Sequence, residues 1–155
     1  MKNTRIAVLG LGMMGQAIAG GLIKAHHAKR LLSGTTRTKN AATRLKAQLG
    51  IAVGTDNVAA AAGADVLVLA LKPLQVLEVA RELAAAGAVA PRTLVISIAA
   101  GVTTAQLEEI LGPRVAVVRA MPNTPCSIGC GTTVLSAGRR AGEGHIATAR
   151  RIFAP

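Results

Sequence analysis

Short apolar runs alternate with helical segments along almost the whole chain, and this alternation restricts the fold more than any other feature. The runs "DVLVLAL" and "TLVISIA" are rich in Val, Leu and Ile, as strands covered on both faces are. Between them lie segments such as "LQVLEVARELAAAG", in which apolar residues recur every three or four positions. Strands that alternate with helices pair in parallel through right-handed crossovers. The sequence therefore predicts an α/β fold with a doubly wound, mostly parallel sheet and helices on both faces.

The ends of several elements carry their own signals. Thr103, followed three residues later by Gln106, predicts a capping box, and Gly50 predicts the end of the helix before it. The final segment, "GEGHIATARRIFAP", starts a helix where the sequence stops, which indicates a boundary inside a longer protein. The remaining predicted strands are "RIAVLG", "RLLSGT", "IAV", "VAVVRA" and "TTVLS".

Composition excludes several classes of protein. A length of 155 residues with 51% apolar residues fits one domain with a sizeable core. The formal charge of +11 suggests an anionic partner, but the basic residues are scattered and Phe153 is the only aromatic residue. Without aromatic side chains there is no platform on which bases could stack. We therefore expect no nucleic-acid partner: most of the excess charge is interpreted as ordinary surface Arg, although its field would also favour a small anionic ligand.

Metal, membrane and export signals are also missing from the sequence. Cys126 and Cys130 are the only cysteines, and the three histidines lie elsewhere without ligand spacing, so no metal site is predicted. No apolar run approaches the roughly 20 residues of a membrane span. The first residues lack the apolar region of a secretory signal. We expect a soluble, cytoplasmic protein with no membrane contact.

The stretch "GLGMMG" follows the first predicted strand and opens the first predicted helix, which is the context that a dinucleotide-binding glycine loop requires. Gly10 permits the tight turn, Gly12 lets the backbone approach a pyrophosphate, and Gly15 lets the helix pack on the strand. The positive end of the helix dipole adds to the attraction for phosphates. The predicted fold is therefore of the Rossmann type. The predicted cofactor-binding residues of this loop are Gly10, Leu11, Gly12, Met13, Met14 and Gly15.

The end of the second strand indicates which dinucleotide is bound. NAD-binding proteins place an acid there for the ribose 2′-hydroxyl, whereas "SGTTRTK" contains none. Thr35 and Thr36 offer hydroxyl groups, and the guanidinium of Arg37 suits a 2′-phosphate. The sequence favours NADP(H), with NAD(H) as the other possibility.

The stretch "VRAMPNTP", followed by "GCGTT", is the most specific in the chain. It resembles the pyrroline-5-carboxylate reductases, and "LALKP" at 69–73, "SIAAG" at 97–101 and "DN" at 56–57 agree in order and spacing. The resemblance covers essentially all 155 residues. It implies that residues 1–155 are the NADP-binding domain of a reductase that converts 1-pyrroline-5-carboxylate to L-proline.

The resemblance also implies what this sequence lacks. In the family a second, helical domain builds the dimer and supplies most of the substrate pocket, so the homo-oligomer contacts and the catalytic acid are expected outside this chain, and we name no catalytic residue. The prolines of "MPNTP" stiffen Asn123 and Thr124, and one interpretation is that this stiff loop shapes the floor of the substrate site beside the nicotinamide. A rigid turn that only packs against the second domain is an equal alternative. The further cofactor-binding residues that the resemblance implies are Asn57, Ala70, Leu71, Lys72, Pro73, Ala99, Ala100 and Asn123.

Proteins with other functions have a similar N-terminal glycine loop. Deazaflavin-dependent NADP reductases and 3-hydroxyacid dehydrogenases start similarly, and "GLGMMG" fits the latter's "GLGxMG". A dinucleotide-binding module without catalysis is a third possibility, from a different class of function.

Overall fold

The computed structural model describes residues 3–123 and 132–154 of the chain. Seven strands and six α-helices alternate through most of this range. The strands are β1 (Ile6–Leu9), β2 (Leu32–Thr35), β3 (Ala52–Gly54), β4 (Val66–Leu69), β5 (Leu94–Ser97), β6 (Ala116–Pro122) and β7 (Thr133–Ala137). The helices are α1 (Met13–Lys24), α2 (Lys39–Leu49), α3 (Asn57–Ala61), α4 (Pro73–Ala85), α5 (Thr104–Leu111) and α6 (Glu143–Phe153).

The strands form a single sheet in the order β3-β2-β1-β4-β5-β6-β7. The first six pair in parallel, and β7 pairs with β6 in the antiparallel direction. The chain order reverses between β1 and β4, so the sheet is doubly wound around that pair. The predicted Rossmann-type fold, with its mostly parallel sheet, is confirmed.

Each face of the sheet carries its own apolar core because side chains alternate along the strands. Val8, Val68 and Ile96 point into one core together with residues of α1, α2 and α6. Leu67 and Val95 point into the other, with residues of α3, α4 and α5. The central strands β1, β4 and β5 are buried at every position, which explains their continuous apolar sequences.

The predicted helix ends are confirmed. The Thr103 hydroxyl accepts a hydrogen bond from the Gln106 N–H at 3.2 Å, and the Gln106 side chain accepts from the Thr103 N–H at 2.9 Å. Gly50 ends α2 in the left-handed region, with φ of 67°. These local contacts fix where α5 begins and where α2 ends.

Some element boundaries differ from the sequence prediction. The strand expected from Arg30 starts at Leu32, because Lys29–Leu31 form a single 3₁₀ turn. The final segment forms an α-helix of 11 residues, Glu143–Phe153. Its buried residues Ala149 and Ile152 pack in the core that also contains α1.

His27 follows α1 at the opposite edge of the sheet from the glycine loop. Its Nε2 atom is buried without a hydrogen-bond partner among the described residues. Burial lowers the pKa of His27, although a hydrogen bond with the backbone of Thr4 opposes the shift. The neutral imidazole is therefore the form that the fold accommodates.

Candidate functional site

The carboxyl ends of the six parallel strands meet at one edge of the sheet, where ligands bind in doubly wound folds. The reversal of strand order puts the end of β1 beside the end of β4, and Ala70 N–H donates to the Leu9 carbonyl at 2.8 Å. The glycine loop therefore lies at the centre of this edge. The segments after β2, β4, β5 and β6 surround it, so the predicted cofactor-binding residues lie at one edge.

Gly10 and Gly15 are required by the packing of the protein itself. Gly10 has φ of +93°, and a Cβ atom there would lie 2.6 Å from the carbonyl oxygen of Ala70. A Cβ atom on Gly15 would overlap the carbonyl oxygen of Gly10. The first glycine lets β1 turn beside β4, and the third lets α1 approach the turn. Both roles agree with the sequence prediction.

Gly12 has no comparable structural reason to be glycine. Its φ of −74° and ψ of −163° are open to any residue, and a Cβ atom there would meet no atom within 4 Å. The residue is the N-cap of α1, so the unpaired N–H groups of the first helical turn lie beside this open space. An anion placed there would receive those donors, which fits the pyrophosphate of a dinucleotide.

Leu11 and the two methionines of the loop differ in exposure. The Leu11 side chain is buried over Gly34 of β2, and its N–H donates to the Thr35 carbonyl at 2.7 Å. Met14 packs against the core, whereas Met13 is 81% exposed. Leu11 therefore anchors the loop to β2, and Met13 is the loop side chain that a ligand would meet.

Thr35 links the glycine loop to α3 through its hydroxyl group. It is buried, its hydroxyl oxygen accepts from the Gly10 N–H at 3.2 Å, and its hydroxyl donates to Asn57 Oδ1 at 2.8 Å. The hydroxyl that the sequence offered to a ribose is thus already used within the protein. With its side-chain oxygen accepting from the Thr35 hydroxyl, Asn57 keeps its amide nitrogen as a donor.

Thr36 and Arg37 follow β2, and Arg37 is exposed. Helix α2 begins just after them with Lys39, and its N-cap Thr38 accepts from the Ala41 N–H at 3.3 Å. Cations at a helix N-terminus oppose the helix dipole by up to about 1 kcal/mol each. An anion bound between these groups would remove that repulsion.

Helix α4 begins in the same way. Lys72 is its N-cap and Pro73 its first residue, a position that suits Pro because an N–H there would have no partner within the helix. Lys72 is exposed, whereas Ala70 and Leu71 are partly buried and pack against the two cores. None of the three helices α1, α2 and α4 has an acidic residue in its first turn.

One acid does lie at this edge. Asp56, the N-cap of α3, accepts from the Ala59 N–H at 2.9 Å and so is held at its own helix. The positive groups after β2 and β4 nevertheless outnumber it, and the edge favours an anionic ligand.

The turn after β5 presents small side chains. Ala99 is buried and its N–H donates to Ser97 Oγ at 3.3 Å, whereas Ala100 is exposed. Gly101 follows in the left-handed region, with φ of 75°. The turn therefore presents only small side chains at this edge of the sheet.

Asn123 closes the base of the β6–β7 connection. Its N–H donates to the Thr132 carbonyl at 3.2 Å, and its side-chain oxygen accepts from the Thr132 N–H at 2.9 Å. Asn123 thus has a structural role at the carboxyl edge. Thr124, Pro125, Cys126 and Cys130 lie outside the described residues, so the predictions that concern them stay predictions.

The sequence prediction missed Gln16 and Arg119. The Gln16 side chain reaches back from α1 and donates to the Leu11 carbonyl at 2.9 Å. On β6, Arg119 has a buried Nε atom without a partner among the described residues. Neither residue could be identified from the sequence, because a single Gln or Arg in a periodic segment looks like an ordinary solvent-exposed residue.

Metal and membrane features are absent from the part of the chain that the structure describes. Within residues 3–123 and 132–154, no three His, Cys, Asp or Glu side chains are grouped to hold a metal ion. Nor does any helix in these ranges combine the length and apolar character needed to cross a membrane.

Comparison with known families agrees with this geometry. Residues 5–101, from β1 to the turn after β5, match the family described as NADP oxidoreductase, coenzyme F420-dependent. The chain belongs to this family. The NADP oxidoreductase match covers the glycine loop, the end of β2 and the end of β4, so it contains most of the candidate site.

Individual relatives extend the match beyond the family region. The chain is 36% identical over 137 residues to a pyrroline-5-carboxylate reductase of Vibrio alginolyticus, which is 88% of this chain and 50% of that protein. This member of the NADP oxidoreductase family thus spans about half the length of the curated relatives it matches.

Solved structures show the same partial match. The structure of a pyrroline-5-carboxylate reductase from Coxiella burnetii superposes with a TM-score of 0.91 at 36% identity, covering 97% of this chain and 56% of that one. The Plasmodium falciparum pyrroline carboxylate reductase with NADP bound gives a TM-score of 0.84 at 28% identity, over 99% of this chain and 55% of that one.

Proposed function

We propose that this chain is the cofactor-binding domain of a pyrroline-5-carboxylate reductase that reduces 1-pyrroline-5-carboxylate to L-proline. The observation that carries the proposal is the 36% identity to the Vibrio alginolyticus reductase. That alignment of 137 residues must reach past residue 101, where the family match ends. A small imine substrate, a cytoplasmic location and assembly into homo-oligomers through a helical domain are parts of the same proposal.

The proposed cofactor is NADP(H), with weaker binding of NAD(H). The first turn of α1 would hold the pyrophosphate beside Gly12, and Arg37 would pair with the 2′-phosphate. The amide of Asn57 would donate to the same end of the ligand. Bound there, a nicotinamide cofactor supplies the hydride, and the protein orients it.

The contribution of this chain to the reaction is orientation. The small side chains at Ala99 and Ala100 would let the nicotinamide ring lie against the backbone, and Lys72 would face the ribose and phosphates. Holding two reactants in a productive geometry supplies several kcal/mol of catalysis. The group that gives a proton to the imine nitrogen, and the groups that hold the substrate carboxylate, are assigned to the helical domain.

We expect wild-type chain to bind NADPH more tightly than NADH, and Arg37→Ala to weaken NADPH about five- to tenfold while NADH affinity stays unchanged. The reason is that a charge-assisted pair with an exposed phosphate contributes about 1 kcal/mol. Isothermal titration of both cofactors measures this. Arg44→Ala, at an exposed position of α2, the helix that follows Arg37, is the matched control. Equal wild-type affinities would refute the cofactor preference.

We also expect the chain to bind NADPH without reducing the imine at a useful rate. One wall of the substrate site would be missing, and losing several kcal/mol of positioning slows a reaction by several orders of magnitude. NADPH oxidation in the presence of 1-pyrroline-5-carboxylate is compared between this chain and a chain extended by a helical domain. Comparable turnover of the two would contradict the two-domain account.

A further inference from the structure

Successive peptide groups of the glycine loop are held by the protein before any ligand binds. The Leu9 carbonyl accepts from the Ala70 N–H at 2.8 Å, and the Gly10 N–H donates to the Thr35 hydroxyl at 3.2 Å. The next N–H, that of Leu11, donates to the Thr35 carbonyl at 2.7 Å. The peptide groups up to Leu11 are therefore fixed by the neighbouring strands.

Gln16 holds the peptide groups on both sides of Gly12. Its side-chain amide donates to the Leu11 carbonyl at 2.9 Å, and its own N–H donates to the Gly12 carbonyl at 2.9 Å. The first of these bonds is unusual in a helix, because the side chain reaches back across the first turn to a residue before the helix. It is the contact that satisfies the Leu11 carbonyl.

The bond to Leu11 also sets the direction of the following N–H. A trans peptide group is planar, so the carbonyl of Leu11 and the N–H of Gly12 point in opposite directions. Gln16 draws the carbonyl toward α1, so the Gly12 N–H, on the other side of the peptide plane, points away from the Gln16 side chain. Gly12 is exposed, and a Cβ atom on it would meet no atom within 4 Å, so a ligand has room beside this residue.

We propose that Gln16 is a positioning residue for the pyrophosphate of the dinucleotide. It acts through the Leu11–Gly12 peptide group, whose N–H it aims outward, and it needs no contact with the ligand. The inference rests on the proposed function, since it presupposes that a dinucleotide binds at the glycine loop. It adds a side chain outside the glycine motif to the machinery that organises the loop.

The test uses Gln16→Met, which removes the amide and keeps a similar length and helix propensity. We expect about three- to tenfold weaker binding of NADPH and of ADP-ribose, because one hydrogen bond contributes about 1 kcal/mol. Binding of adenosine 2′-phosphate, which lacks a pyrophosphate, should stay within twofold. Gln48→Met, at an exposed position of α2, is the control for a glutamine without this contact.

The outcomes separate positioning from a general loss of structure. Unchanged NADPH affinity in Gln16→Met would overturn the inference, and so would an equal loss for adenosine 2′-phosphate, since that result means a damaged domain. A failure of the wild-type chain to bind NADPH would instead refute the proposed function. The amide chemical shift of Gly12 gives a second measurement, and we expect it to change more in Gln16→Met than in Gln48→Met.

Discussion

Replacing Gly15 with Ala is expected to lower the free energy of unfolding by about 3 kcal/mol and to abolish NADPH binding at the same time. The added Cβ atom would overlap the Gly10 carbonyl oxygen, a backbone atom that has no rotamer to move into. Either α1 must move away from the turn or the loop must change conformation. Both changes would disturb the first helical turn, where the phosphates are expected.

Chemical denaturation and NADPH titration of the same preparation measure the two effects. Gly20→Ala is the control, because Gly20 lies in the same helix and a Cβ atom there meets nothing within 4 Å. That variant should gain up to about 1 kcal/mol from its higher helix propensity. If Gly15→Ala were as stable as the wild type, the close approach of α1 to the turn would not be needed for stability.

Gly12→Val is expected to weaken NADPH at least about 100-fold with little change in the melting temperature. The side chain would fill the space assigned to the pyrophosphate, and the backbone of Gly12 already has a conformation that Val adopts. A loss of about 3 kcal/mol in binding corresponds to that factor. The binding effect therefore far exceeds the effect on stability.

The chain provides a close control for this variant. Gly142 is the N-cap of α6, with φ of −95°, ψ of −175° and nothing within 4 Å of a Cβ position. It follows β7, which runs antiparallel, and so lies at the opposite edge of the sheet. Gly142→Val should have the same small stability cost and wild-type affinity. Retained NADPH binding in Gly12→Val would mean that the glycine loop is only a turn.

The fold was predictable because its signals are local and repeated. Continuous apolar strands such as β4 and β5, the capping box at Thr103 and the left-handed Gly50 each specify their own element, and alternation then restricts the topology. The direction of β7 had no such signal. A strand of five residues with exposed Val134 pairs equally well either way by its sequence, but the connection between Pro122 and Thr133 has fewer residues than a parallel crossover needs.

The site was predictable where a residue type has one strong physical reason. Gly10 needs a positive φ, and Gly15 needs the absence of a Cβ atom. Thr35 shows the limit, because a hydroxyl at a strand end can face a ligand or the protein, and here it joins the Gly10 N–H to Asn57. Whether the hydroxyl faces the ligand or the protein depends on contacts between residues far apart in sequence. The spacing of apolar residues carries no information about such contacts.

The pairing of β1 with β4 has a consequence for assembly. Leu9 pairs with Leu69, and the turn at Gly10 is shaped by the carbonyl of Ala70, so the glycine loop is unfinished until two distant parts of the chain have met. Closing so long a loop is the slow, entropically costly part of forming a parallel sheet. A dinucleotide that binds only the finished loop would stabilise this junction through mass action. The bound cofactor would then hold β1 and β4 together. We expect it to increase the protection of backbone amides from hydrogen exchange most in these two strands.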